Sequence, residues 1–274
     1  EAFRVCGYED LSKEYGVPLV DLQRDSSRPV ETGGMTISIC EYAAKVDYLI
    51  NVPVLKGHCQ TNLTCALKNL KGCIPDSEKR RFHTMGLHKP IAYLNKLIRQ
   101  DLIIVDGMNG DLNFEEGGNP VQMNRIIAGK DPVLVDSYAA HLIGYSIEEV
   151  PYISMAEQIG AGSSDLEKAD IVELNKDEGI RKITPSRRVR YLARHIVEDS
   201  ACSACYGSLI YALERLDERG LLSRLEDKLY IGQNFRNKKL DGIGIGACAS
   251  GFDKCVRGCP PKARDIVEYL EGLI

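Results

Sequence analysis

Apolar residues in this chain fall in short runs broken by glycine, proline and charge, and the runs change period along its length. Residues 17–23 (Val-Pro-Leu-Val-Asp-Leu-Gln) predict a short strand. Residues 47–55 predict a buried strand that Pro53 confines to a sheet edge or a strand end. Lys56-Gly57-His58 follows, and then a helix is expected at about 61–71 and a second at 89–100. Leu102-Ile103-Ile104-Val105-Asp106 reads as a strong strand stopping at Gly107. After a polar, Gly-rich loop (109–120) comes a strand near 124–128. Asp131-Pro132 then opens a helix through about 144, with proline at the tolerated first position, and another helix covers 150–160. Strands alternating with helices predict an α/β fold, a mostly parallel sheet flanked by helices.

Residues 176–200 are charged and carry Pro185, so they predict a linker or boundary helix. A smaller α/β unit follows: a helix at 203–219 ending at Gly220, strands at 229–233 and 242–247, and a last helix at 261–273 opened by Pro260-Pro261. The pattern divides the chain into a main domain, 1–175, and a C-terminal unit, 176–274, that includes the linker. No internal repeat emerges from the pattern.

Charge narrows the function classes. With 35 basic and 39 acidic residues among 274, the net charge is −4, and no basic stripe interleaves with aromatics. Nucleic acid is therefore not an expected partner. No apolar run approaches the ~20 residues that cross a bilayer, so no membrane span is expected. The opening residues, Glu1-Ala2-Phe3-Arg4, lack the apolar core of a signal peptide, and a cytoplasmic location follows as an expectation.

The ten cysteines change the picture most. In a reducing compartment clustered cysteines serve as metal ligands or catalysts, not as a disulfide framework. Cys6, Cys40, Cys59, Cys65 and Cys73 are scattered, and a small buried hydrophobe is the default reading for Cys6 and Cys40. Cys202-Ser203-Ala204-Cys205 puts two thiols at a helix start, where the dipole and unpaired N–H groups favour thiolates. Cys248 follows a strand, at the end where open α/β sheets place their sites. Cys259 sits between Gly258 and two prolines that fix φ at the expected helix start. One short pair joined by two isolated cysteines suits a 4Fe-4S cluster. Structural zinc, which prefers two short pairs, is the alternative, and a thioredoxin-type pair is a further one. Cys255 is held in reserve as the fourth ligand.

The run Lys56-Gly57-His58, Thr61, Thr64 and Leu67-Lys68-Asn69-Leu70-Lys71-Gly72, then Asp106-Gly107 and Gly129-Lys130-Asp131-Pro132-Val133-Leu134-Val135-Asp136, resembles the DUF362 family of uncharacterised proteins. The Cys-x-x-Cys, Gly-x-Gly-x-Cys and Gly-Cys-Pro-Pro pieces are similar to iron–sulfur-binding forms of that family. Gly-Cys-Pro-Pro also looks like the cluster-binding subunits of nickel–iron hydrogenases and respiratory complex I. The resemblance implies an iron–sulfur cofactor and no particular reaction. Glu116-Gly117-Gly118-Asn119-Pro120 departs from the family's Glu-Gly-Asn-Gly-Pro.

A second site is expected in the main domain. Lys56, His58, Thr61, Lys68 and Asn69 bracket one strand end and the following helix, and they suit an anionic ligand. Asp106 and Glu116 fall at the end of another strand and in its loop, Asp131 and Asp136 flank a helix start, and these carboxylates could hold a hard cation instead. The bland readings are a hydrogen-bonded structural His58, a solvated Lys68 and an N-cap at Asp131. The glycines of 242–246 are wrongly spaced for a dinucleotide site, and His83, His88 and Cys73 are too loosely spaced for a metal. These features together predict a redox enzyme or electron-transfer component with a protein partner or a small-molecule ligand. A non-catalytic protein folded around structural zinc is the alternative.

Overall fold

The computed structural model describes residues 1–112, 120–174 and 187–274. Two short helices, α1 (Ala2–Val5) and α2 (Tyr8–Tyr15), open the chain and bury no residue. The expected strand at 17–23 is instead a 3-10 turn over Leu22–Arg24, because the Asp21 carboxylate accepts the Gln23 N–H at 3.1 Å and draws the backbone round. Strands β1 (Ser27–Thr32) and β2 (Met35–Cys40) then form an antiparallel hairpin. Gly33 and Gly34, at φ +54° and +74°, supply the left-handed pair that a two-residue turn needs.

Helix α3 (Glu41–Lys45) leads to β3 (Ile50–Asn51), and the Val54–Asp106 bridge extends its pairing past Pro53. The first half of the helix expected at 61–71 is a second hairpin, β4 (Lys56–His58) with β5 (Asn62–Thr64). Its turn is held by His58, whose Nδ1 accepts the Gln60 and Thr61 N–H groups at 3.1 and 3.2 Å. Helix α4 (Ala66–Asn69) and a 3-10 turn (Leu70–Cys73) make up the second half.

Helices α5 (Asp76–Thr84) and α6 (His88–Leu97) precede the long strands β6 (Leu102–Asp111) and β7 (Pro120–Gly129). Helix α7 (Pro132–Leu142) starts at the Asp131 cap, whose carboxylate accepts the Val133 and Leu134 N–H groups, and α8 (Pro151–Gln158) follows. The sheet here has the order β3-β6-β7, with β3 parallel to β6 and β7 antiparallel. Ile37, Leu55, Leu67, Phe82, Ile91, Ile103 and Tyr152 are among its fully buried core.

The α/β class stands, and the parallel sheet lies in the C-terminal part. After α9 (Arg188–Leu192) come β8 (Ile196–Glu198), α10 (Ser203–Glu218), β9 (Leu229–Ile231), β10 (Ile243–Ile245), β11 (Lys254–Val256) and α11 (Ala263–Glu271). The four strands run parallel in the order β11-β10-β9-β8. On one face, Leu229, Ile231, Ile243, Ile245 and Val256 share a core with Leu209, Leu213 and Leu216 of α10 and Ile266 and Leu270 of α11. The opposite face carries Phe235, Ala249 and Phe252, packed with Tyr230 and Cys255. The two large cores are separate, except that Cys59, from the hairpin turn, belongs to the second. The boundary expected at 175 lies outside the described residues. Among the described residues no helix is long and apolar enough to cross a membrane.

Candidate metal centre at the edge of the parallel sheet

Each strand of the parallel sheet ends on a residue with positive φ: Ser200 after β8, Gly232 after β9, Gly246 after β10 and Gly258 after β11. Such a residue turns the chain sharply at the carboxyl edge of the sheet. The turns tie to one another, since Ala247 N–H donates to the Gly258 carbonyl at 2.7 Å and Gln233 N–H to that of Ser200 at 3.2 Å. The sequence pattern shows no repeat because each strand is only three residues long, yet the strand-and-turn unit recurs.

The cysteines follow these turns. Cys202 is the N-cap of α10 and Cys205 lies in its first turn. Cys248 occupies the 3-10 turn after Gly246, and Cys259 directly follows Gly258. At Gly258, with φ +142°, a Cβ would come within 2.5 Å of the Pro261 Cα. Only glycine lets the chain fold there. Cys259 is exposed, whereas Cys202, Cys205 and Cys248 are half-buried. The expected placement of Cys259 at a helix start is corrected: α11 begins only at Ala263, with Lys262 at the N-cap position. Cys259 and Pro260 each precede a proline, which disfavours the helical region for both, so the helix forms only after them.

Electrostatically the four thiols act as neighbours. Burial, and then Cys202, Cys259 and Cys248, push the Cys205 thiol up to about 12. Burial with Cys248 and Cys259 raises Cys202 as well, and Arg80 and Lys71 pull the other way. The Arg236 guanidinium, just past the β9 turn, donates to Cys248 and feels Cys202 and Cys259, which raises its own pKa. Cys255 behaves differently. Its side chain lies within β11 on the aromatic face, with its Sγ 3.9 Å from the Ser250 carbonyl. The donor set is four soft thiols without a carboxylate, a set that both iron–sulfur clusters and structural zinc take. Among the described residues, no group of three or more His, Cys, Asp or Glu side chains is arranged to hold a metal ion. A cubane binds each thiolate at a separate iron, so its thiols stand farther apart than four ligands about 2.3 Å from one zinc.

The main-domain residues go to several places instead of one crevice. Lys56 faces a cavity beside Cys202. His58 and Thr61 are buried in the hairpin turn, where Thr61 Oγ1 donates to the Leu63 carbonyl at 3.1 Å. Buried Lys68 donates to Thr64 Oγ1 at 3.0 Å, and Asn69 donates to Asn51 at 2.7 Å. Asp106 is exposed on β6 and accepts the Met108 N–H. Asp136 is fully buried and accepts the Ala66 and Leu67 N–H groups at 2.7 and 3.2 Å, so it caps α4. Burial pushes its carboxyl up to about 7. Glu116 lies outside the described residues.

Residues 1–141 match the family model described as a domain of unknown function, DUF362. The chain belongs to the DUF362 family. The thylakoid-associated protein sll1697 of Synechocystis sp. is 25% identical over 161 residues, covering 56% of this chain and 50% of that protein. The chain thus spans about half the length of the curated relative that it matches. No solved structure matches it. In this DUF362 chain the family match ends before Cys202, so the four cysteines stand outside it. Arg236 and Arg80 escape a sequence reading, and Lys71, which reads as a solvated helix face, stands near Cys202 instead. The one local signal is Gly232, which marks a strand end like those that carry the cysteines.

Proposed function

We propose that this DUF362 protein holds one 4Fe-4S cluster through Cys202, Cys205, Cys248 and Cys259 and serves as an electron-transfer component or oxidoreductase of the cytoplasm. The observation that carries the reading is the arrival of all four thiols at the carboxyl edge of one parallel sheet. When bound, such a cluster supplies one-electron chemistry at a potential set by charge, hydrogen bonds and exposure. The chain's own residues supply those levers. Arg236 donates to Cys248, Arg80 and Lys71 add positive charge near Cys202, and the core of α10 and α11 dries the inner side. Exposed Cys259 offers the short route to a redox partner protein.

The test is iron and acid-labile sulfide content, with a visible spectrum, on protein purified without oxygen. About four of each per chain, lost in Cys202→Ala and Cys259→Ala, is the expected result. One zinc and no sulfide would overturn the reading in favour of a structural metal.

A further inference from the structure

The N-terminal arm stands apart from the hydrophobic cores. Helices α1 and α2 bury no residue, and among the described residues none before Val30 belongs to a core or packs against one. Helix α2 nonetheless has the pattern of a helix that packs. Tyr8, Leu11 and Tyr15 fall at i, i+3 and i+7 on one stripe, while Glu9, Asp10, Lys13 and Glu14 take the other sides. Leu11 is 46% and Tyr15 68% exposed. Phe3 of α1 meets the Tyr8 ring edge-on, with centroids 6.3 Å apart, and steadies the start of the stripe. The arm is rooted where the Cys40 thiol donates to the Leu22 carbonyl at 3.3 Å and Gln23 Nε2 donates to the Ile74 carbonyl at 3.4 Å.

The β3-β6-β7 sheet has the complementary defect, a bare apolar face. Ile103 and Val105 point into the core, so Leu102, Ile104 and Asp106 point the other way. Register sets Ile50 beside Leu102, and Val54 and Ile126 on either side of Asp106. Val52 joins them by alternation. Ile50, Val52 and Ile126 are 53%, 60% and 71% exposed. Strand β3, which carries two of these, is also an edge strand. A contiguous apolar face of this kind marks an interaction surface, and in α/β layers a helix is what covers it.

We propose that α2 of one copy covers the outer face of the β3-β6-β7 sheet in a second copy, so that two chains exchange arms in a closed two-fold dimer. The dimensions agree. From Tyr8 to Tyr15 the stripe is about 10 Å long at the helical rise, and from Ile50 to Val54 the face is about 13 Å long. The polar groups agree as well. Asp106 lies within the apolar face with its carboxylate already accepting the Met108 N–H at 3.0 Å, and the tyrosine hydroxyls of the stripe bring further donors to it. The occupant is a second copy because the root of the arm lies on the core side of the sheet: Ile74 shares the core with Ile103 and Val105. Residues 16–21, which join α2 to that root, reach at most ~20 Å. That is about the depth of one helix layer and one sheet, short of a path around the edge to the chain's own outer face. Exchange of an identical element satisfies both surfaces twice, as a two-fold axis requires. The proposal does not depend on the cysteine centre.

The experiment is sedimentation velocity on the full chain over a range of micromolar concentrations. Wild type is expected at twice the mass of one chain. Leu11→Asp and Val52→Asp, both at exposed positions, are each expected to be monomeric with unchanged far-ultraviolet circular dichroism, and Leu240→Asp, an exposed leucine of the C-terminal part, stays dimeric. An equimolar mixture of Leu11→Asp and Val52→Asp retains one intact pair, the arm of the second on the face of the first. Dimer should therefore return in the mixture although neither variant forms it alone. A monomeric wild type, a Leu11→Asp protein that stays dimeric because sheet faces pair directly, or a mixture that stays monomeric would each overturn the proposal.

Discussion

Asp136 makes stability depend on pH. Its carboxyl is fully buried, caps α4 through the Ala66 and Leu67 N–H groups, and is pushed from 3.8 up to about 7, mainly by burial, with those hydrogen bonds opposing. The folded state therefore holds a proton that the unfolded chain releases near 3.8. Stability is fully present below that value and is lost as pH rises toward the folded pKa. The shift of about three units is worth at most ~4 kcal/mol, of which ~2 kcal/mol falls between pH 5 and 7. Asp136→Asn removes the titration. It also turns one amide donor toward a backbone N–H, a lost hydrogen bond costing about 1–3 kcal/mol at low pH. Urea denaturation of both proteins across pH 5 to 8 measures the difference. The wild-type curve should fall relative to the Asn curve across that window. Parallel curves would mean that Asp136 is ionised in the folded state throughout, and the account of burial raising its pKa would fail.

Three other outcomes follow from the sheet edge. Gly258→Ala places a Cβ against Pro261 at a left-handed φ, costing on the order of 1–3 kcal/mol of local strain, and should release the iron of the proposed cluster while the far-ultraviolet circular dichroism holds. Cys255→Ser, on the aromatic face, should leave iron and sulfide content at wild-type level, and a loss matching that of Cys259→Ala would reassign the fourth ligand. Arg236→Gln removes a donor and a positive charge beside Cys248, and potentiometry should find the proposed cluster harder to reduce.

Much of the α/β pattern is legible locally. The proline-started helix at Asp131-Pro132, the CxxC at the start of α10 and the glycines at strand ends each follow from preferences of neighbouring residues. The hairpin β4–β5 is misread as helix because its turn depends on a histidine side chain folding back on the backbone, which no periodicity records. Strand β8 is missed because three residues carry no period, and it is a strand only by pairing with β9.

The site divides in the same way. The identity and spacing of Cys202, Cys205, Cys248 and Cys259 are chemical facts of the sequence, and so is the choice of soft ligands they imply. That Cys255 turns to the aromatic face, that Asp136 caps a helix instead of facing a ligand, and that Lys71, Arg80 and Arg236 stand beside the thiols are decided by tertiary structure alone. Backbone preference and side-chain chemistry act over a few residues. Which charges meet across a cavity depends on how apolar faces far apart in the chain bury one another, and that packing is settled only when the whole chain folds.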